Sequence, residues 1–341
     1  MKPKFFHAAA AFLVISVITA TLSAAETLWT NPLVEQRADP SVTFHDGHYY
    51  MMATVPDWDY LEMREATSID GLRTANPKEI WKRHEKGPMG GYIWAPELHF
   101  INGKWYIYFA AGDKENNWKI RLYVLENSSP NPMEGEWIEK GKLDVGGDSF
   151  TLDPTTFENS GKRYLVWAQA NPKLKVNSSI YIAQMDTPWS IIKPSVRLSS
   201  PEFHWECIRC KVNEGPEVLK KNDRIFLVYS ASGIGSEYCL GMLSAKADAD
   251  LLDPKSWTKS HEPVFVSAPE NNQWGPGHNS FTTLPDGRDV IVYHDRNYDL
   301  KSDPMVDKNR HVRAQLIFWK PDGTPDFGKP VPDGPYTGER N

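Results

Sequence analysis

Three acidic residues share a local setting that most acids of the chain lack. Asp39 in Ala38-Asp39-Pro40, Asp153 in Leu152-Asp153-Pro154 and Glu214 in Asn213-Glu214-Gly215-Pro216 each head a predicted strand, with Pro one or two places later. Asp253-Pro254 and Asp303-Pro304 carry the same dipeptide in polar surroundings and read as turn initiators. A following Pro biases the residue before it toward extended backbone and is tolerated where a strand begins, so it is expected to fix the direction of each carboxylate. Carboxyl groups that meet in a partly desolvated site raise one another's pKa and divide into an acid and a base. Hydrolysis of a glycosidic bond uses that division: a protonated carboxyl for the leaving oxygen and an ionised one to activate water. A calcium site would draw on the same residue types, but the loop spacing of a calcium motif is missing.

The elements that must bring these residues together form a repeat. A lead residue near Pro, a short apolar strand, a turn and an aromatic-rich strand recur from Asp39, Glu97, Asp153, Glu214 and His278, at intervals of 58, 56, 61 and 64. The turns carry Gly or Asn: Gly47, Gly103, Gly161, Asn222 and Gly287. Periodic helical segments are missing after the N-terminus, and short β-branched and aromatic runs dominate. A period near 60 with about four strands matches a blade of a β-propeller better than a helical solenoid unit. The expected fold is all-β, a five-bladed β-propeller whose lead residues converge at one end of the central tunnel. A β-sandwich would not need similar openings at a fixed interval. Tyr49-Tyr50, Trp105-Tyr106-Ile107-Tyr108-Phe109 and Val228-Tyr229 alternate with apolar neighbours at matching positions and are expected to fill the space between blades.

Composition narrows the partners. With 40% hydrophobic residues and a formal charge of −6 in 341 residues, the chain is neither disordered nor a basic nucleic-acid binder. Residues 1–25 read as a signal peptide: Lys2 and Lys4, an apolar run from about Ala8 to Ala20, and Ser23-Ala24-Ala25 for cleavage. The run is shorter than the roughly 20 residues that span a bilayer. The expected product is one catalytic domain over residues 26–341, monomeric, free of the membrane after cleavage, and secreted to the periplasm or beyond. For its three cysteines, a local disulfide between Cys207 and Cys210 with Cys239 free and buried is expected, a bridge from Cys239 to either partner being the competitor.

Taken together, Ala38-Asp39-Pro40, Trp94-Ala95-Pro96-Glu97-Leu98-His99, Leu152-Asp153-Pro154-Thr155 and Asn213-Glu214-Gly215-Pro216 resemble glycoside hydrolase family 43, whose members are five-bladed propellers. The similarity runs from about residue 30 to 330. It implies Asp39 as general base, Glu214 as general acid and Asp153 as the third carboxylate, which orients Glu214 and raises its pKa. It also implies inversion, with base and acid on the order of 6.5–9.5 Å apart. Lys86-Gly87-Pro88-Met89, Val212-Asn213-Glu214-Gly215-Pro216, Tyr238-Cys239-Leu240-Gly241 and Arg310-His311-Val312-Arg313-Ala314-Gln315 look most like the exo-acting α-1,5-L-arabinofuranosidases. The implied substrate is plant cell-wall arabinan or arabinoxylan, or their oligosaccharides. A β-xylosidase or an endo-arabinanase would use the same carboxylates, and a non-catalytic glycan-binding propeller would not need all three.

Supporting positions follow from place and type. His278 resembles a family histidine near the propeller axis that is associated with a structural Ca2+; the chemistry itself needs no cofactor. Trp94 and Trp58 could stack on a sugar, against the common fate of a buried blade aromatic. Glu97 could bond sugar hydroxyls. Arg313, alternating with His311 and Gln315, could hold a sugar or a carboxylate, against a plain salt bridge.

Overall fold

The computed structural model describes residues 26–340 together with Met1, Pro3 and Lys4. The leader expected over residues 1–25 otherwise lies outside the described residues.

Five antiparallel sheets follow one another along the chain. Blade 1 comprises Ala38–His45, His48–Thr54, Tyr60–Ala66 and Lys78–Lys82. Blade 2 comprises Ile93–Ile101, Lys104–Asp113, Asn116–Asn127 and Ile138–Lys142. In blade 3, Thr151–Asn159, Lys162–Gln169 and Ser179–Thr187 are followed by two short strands, Ser190–Ile191 and Val196–Ser199, both paired to the third. Blade 4 comprises Asn213–Lys221, Arg224–Ala231, Cys239–Lys246 and Thr258–Lys259, and blade 5 Trp274–Thr283, Asp289–Arg296 and His311–Leu316. The first strand of each blade touches the first strands of its neighbours, closing a ring around the axis. Among the described residues the helical pieces are short 3-10 turns, and no helix is long and apolar enough to cross a membrane.

Turn chemistry sets the hairpins. Asp46-Gly47, Asn102-Gly103, Ser160-Gly161 and Asn222-Asp223 all have positive φ at both positions, the conformation whose twist suits a two-residue hairpin. Between blades, strand alternation sends neighbouring side chains to opposite sides. Trp105, Ile107 and Phe109 pack toward blade 1, while Tyr106 and Tyr108 pack toward blade 3. Tyr49 and Tyr50 divide in the same way between the blade 5 and blade 2 sides. Burial of such rings supplies the largest apolar areas in the chain.

Closure uses the segment ahead of blade 1. Trp29–Asn31 pairs with Gly334–Tyr336, and Val34 bridges Val312 on the last strand of blade 5. The Asn31 amide bonds both sides of one residue: Nδ2 donates to Ala314 O at 2.9 Å and Oδ1 accepts from Ala314 N at 3.0 Å. This segment supplies blade 5 with the edge cover that the other blades obtain from a fourth strand.

One irregularity recurs in every blade. Besides a further shift between Trp274 and Gly277 in blade 5, the first and second strands lose register between Ala38 and Ser41, Trp94 and Glu97, Leu152 and Thr155, Glu214 and Glu217, and Gly277 and Ser280. Two residues oppose one, a β-bulge, and the first of the two is left-handed: Asp39, Ala95, Asp153, Gly215 and His278, with φ of 53, 46, 54, 51 and 44°. Pro follows in the first four, where its missing N–H suits a position with no ladder bond to make. Asp39 and Asp153 are therefore not extended, as their Pro neighbours suggest, because the bulge overrides the local preference. Left-handed backbone in a non-glycine residue is costly and persists where the surroundings enforce it.

Candidate active site

The bulges lie at the starts of the inner strands, so their side chains gather at one mouth of the tunnel. A cavity of about 410 Å³ opens there, lined by Asp39, Asp153, Glu214, His278, Trp94 and Trp58 among others. Its floor holds the three carboxyls from blades 1, 3 and 4. The bulge register also explains how Glu214 differs from the two aspartates: it precedes the left-handed residue of blade 4, whereas Asp39 and Asp153 occupy that position themselves.

Asp39 is buried and closely held. Thr54 Oγ1 donates to its Oδ2 at 2.6 Å, Arg310 Nη1 to its Oδ1 at 3.3 Å, and His278 Nδ1 lies 3.2 Å from Oδ1. Burial by itself would raise this carboxyl. His278, Arg310 and the Thr54 bond outweigh it and hold Asp39 well below the ordinary carboxylate range. Burial lowers the His278 and His294 imidazoles as well, so Arg310 supplies the permanent positive charge. His294 Nδ1 accepts the Asp39 backbone N–H at 2.9 Å. That places its proton on Nε2, and the 3.5 Å approach of Nδ1 to Asp39 Oδ1 is no ion pair.

Glu214 is half-buried, and among the described residues no cation is bonded to it. Burial pushes it up to about 7; the Tyr238 hydroxyl, donating to Oε1 at 2.9 Å, draws it down, the Asp39 charge raises it and Arg310 lowers it. Asp153 is also raised, first by burial and then by Glu214 and Asp39, although its Oδ2 accepts the Gly215 N–H at 2.8 Å. Asp153 was expected to raise Glu214; the first cause of the rise is burial. Burial leads for both, and they titrate as a pair. One carboxyl held ionised faces a pair pushed toward the protonated form, which is the division that acid and base catalysis needs.

The supports are built into blade 4 and blade 5. Tyr238 lies flat on His294, with ring centroids 5.8 Å apart, and a Cβ on Gly277 would fall 2.1 Å from the Tyr238 ring. Only glycine leaves Tyr238 room to reach Glu214. Behind the strand, the buried Glu206 accepts from Asn213 Nδ2, Tyr229 Oη and Lys259 Nζ, fixing the residue before Glu214.

Other expected positions fall differently. Glu97 stands two residues past the left-handed Ala95 of its bulge and does not line the cavity. Its Oε2 lies 3.0 Å from His99 Nε2 and burial pushes it up to about 8, while His99 is pushed down to about 4. Arg313 is fully buried in mid-strand, paired with Asp295 and Asp333, and does not line the cavity. Arg310, three residues earlier at the strand's entry, takes the place beside the carboxylates. The Cys207–Cys210 bridge does not form: all three cysteines are free, and Cys239 is buried. Arg209, at φ 61°, turns the chain between Cys207 and Cys210, and Cys210 lines the cavity.

As for calcium, an ion of this kind takes six to eight oxygens. Among the described residues no three His, Cys, Asp or Glu side chains converge for a metal. His278 Nδ1 faces Asp39, and the unpartnered oxygen next in sequence is Asn279 Oδ1. These side chains do not make up such a shell, and no step below uses one.

Arg310, Tyr238, Thr54 and His294 were not singled out from sequence. Arg310 and Tyr238 do stand in segments that carry the family resemblance, but only the tertiary contacts separate them from their neighbours.

A five-bladed propeller with carboxyls of opposite protonation preference on a pocket floor defines a class, the propeller glycoside hydrolases. Residues 29–325 match glycosyl hydrolases family 43, and the chain belongs to that family. It is 52% identical over 309 residues to the extracellular exo-α-(1→5)-L-arabinofuranosidase of Streptomyces avermitilis, covering 90% of this chain and 64% of that protein. It is 51% identical to α-L-arabinofuranosidase 43 of Humicola insolens, covering 96% of this chain and 68% of that one. The chain thus spans about two thirds of the length of these curated relatives. The crystal structure of the α-L-arabinofuranosidase from Lactobacillus brevis superimposes with a TM-score of 0.86 at 50% identity, over 89% of this chain and 98% of that one.

Proposed function

We propose that the chain is a secreted, inverting exo-α-L-arabinofuranosidase that removes terminal L-arabinofuranose from α-1,5-arabinan and arabino-oligosaccharides. The supporting observation is the split environment of the floor: Asp39 held ionised by Arg310 and Thr54, Glu214 held protonated by burial. Asp39 takes a proton from water as the water attacks the anomeric carbon. Glu214 gives its proton to the departing glycosidic oxygen, so the exocyclic C–O bond breaks as the new one forms. Asp153 shares the proton equilibrium of Glu214 and holds the Gly215 amide beside it. Arg310 keeps Asp39 anionic and oriented. No cofactor enters these steps. Residues 26–341 form one catalytic domain, acting as a monomer behind a leader over residues 1–25, in the periplasm or outside the cell.

The test is product identification after incubating the mature protein with linear α-1,5-arabinan, xylo-oligosaccharides and aryl glycosides. Arabinose alone from arabinan is expected. Larger arabino-oligomers would replace the exo reading with an endo one, xylose would make the protein a xylosidase, and no product from any substrate would leave a glycan-binding propeller.

A further inference from the structure

Beyond the floor of the cavity, one wall carries three aromatic side chains, Trp58, Trp94 and Trp118, with Tyr92 packed against them. Tyr92 and Trp94 stack at 5.5 Å and 19°. Trp58 meets both edge-on from one side, at 4.8 Å and 5.6 Å. Trp118 meets both at steep angles, at 5.6 Å and 89° and at 5.7 Å and 70°. Trp118 is 55% exposed and lines the same cavity as the carboxyls. An exposed ring that continues an aromatic cluster at the mouth of a cavity marks a ligand-binding surface rather than a singly scattered apolar residue.

Its position is built rather than incidental. Trp118 sits just past the hairpin of blade 2, where Asp113 pairs with Asn116. A Cβ on Gly112 would fall 2.2 Å from Asn117 O, so the backbone closes tightly one residue before Trp118. Asn116 Oδ1 accepts the Trp118 N–H at 3.1 Å, and Lys119 pairs with Asp113 at 2.7 Å. The hairpin tip is stiffened on both sides of the ring it presents.

Depth separates the roles of the rings. Trp94 precedes the bulge residue Ala95 and so holds in blade 2 the position that Glu214 holds in blade 4, at the level of the floor. Trp118 packs against Trp94 from a different strand and reaches the solvent. In an exo-acting pocket one terminal sugar fills the floor, and every further sugar lies on the leaving-group side and exits over the rim. The cavity falls within the roughly 300–1,000 Å³ of sites for ligands larger than one pentose.

We infer that Trp118 is the stacking platform for a sugar on the leaving-group side, a specificity-determining residue that makes the enzyme prefer oligosaccharides over simple arabinofuranosides. The inference rests on the exo-arabinofuranosidase reading above. The ring face takes up the C–H face of a furanose, a contact that tolerates either neighbour along the chain and needs no hydrogen bond. Because this sugar is absent from a methyl glycoside, Trp118 acts on one substrate class and not the other.

The test compares kcat/KM for α-1,5-arabinotriose with kcat/KM for methyl α-L-arabinofuranoside, in wild type, Trp118→Ala and Trp118→Phe. The triose-to-methyl ratio is expected to fall about tenfold in Trp118→Ala, the scale of one aromatic contact, chiefly through KM, and to recover most of that in Trp118→Phe. A ratio within twofold of wild type in Trp118→Ala overturns the platform. Should that truncation fold poorly, Trp118→Leu, which keeps apolar bulk without the aromatic face, is read on the same ratio and by the same limit. Wild type that releases no arabinose from the triose fails the functional reading itself, whereas wild-type turnover with an unchanged variant ratio removes Trp118 alone.

Discussion

Glu214 and Asp39 carry the same functional group and are driven apart by what surrounds them. Asp39 has a guanidinium and a threonine hydroxyl on its oxygens; Glu214 has burial and a single tyrosine. Replacing Glu214 with Gln removes the transferable proton, so turnover of arabinobiose should drop by more than a hundredfold, while an activated aryl arabinofuranoside, whose leaving group needs no proton, loses far less. Comparable losses on both substrates would contradict the acid role. The pH profile gives the second test at this scale. On the proposed roles, activity needs Asp39 ionised and Glu214 protonated, so kcat/KM should fall on the alkaline side with an apparent pKa of about 7. The Tyr238 hydrogen bond favours the anion of Glu214, so its loss in Tyr238→Phe should move that limb to higher pH. A limb that stays or moves down would show that Tyr238 does not act on the acid.

At the scale of elements, the bulge that opens each inner strand does the positioning. It places Asp39 and Asp153 in left-handed backbone, aims them into the cavity, and turns Glu97 and Glu217 away from it. The repeat of residue types near Pro was legible because Pro marks the bulge. Its alignment was not, since Glu97 and Glu214 look like lead residues in sequence but stand two places after and one place before the true equivalents. Arg313 misled for a related reason: a strand's polar alternation does not tell which of its residues stands at the mouth. Ring closure is the other element-level device. Asn31→Ala would leave the Ala314 N–H unpaired at the docking seam, while the Ala314 carbonyl keeps the Trp29 indole as donor, and should cost about 1–3 kcal/mol in urea unfolding. A change under about 0.5 kcal/mol would mean that the seam contributes little.

For the whole molecule, the closed ring of blades makes a tunnel whose wall holds ionisable groups away from bulk water. Glu97 is pushed up to about 8 and His99 down to about 4, so near neutrality the pair is a neutral carboxyl donating to a neutral imidazole. The sign follows from proton counts. Between its ordinary pKa and 8, Glu97 binds a proton when folded and releases it when unfolded, so its contribution to stability is lost as pH rises through 8. Glu97→Gln should therefore reduce the fall in unfolding free energy between pH 6.5 and 8 by about 2 kcal/mol, from roughly 1.4 kcal/mol per pH unit. An equally steep fall in variant and wild type would contradict it. The amino-acid sequence by itself determined the blade count, the turn positions, the inter-blade aromatics and three carboxyls, because these depend on short-range patterns repeated at a regular interval. Only the tertiary structure decided which carboxyl keeps its proton, that Arg310 rather than Arg313 meets the site, that Cys207 and Cys210 stay apart, and that Trp118 stands open at the rim. Those outcomes depend on burial, bulge register and contacts between residues up to 271 positions apart, distances along the chain at which local pattern carries no information.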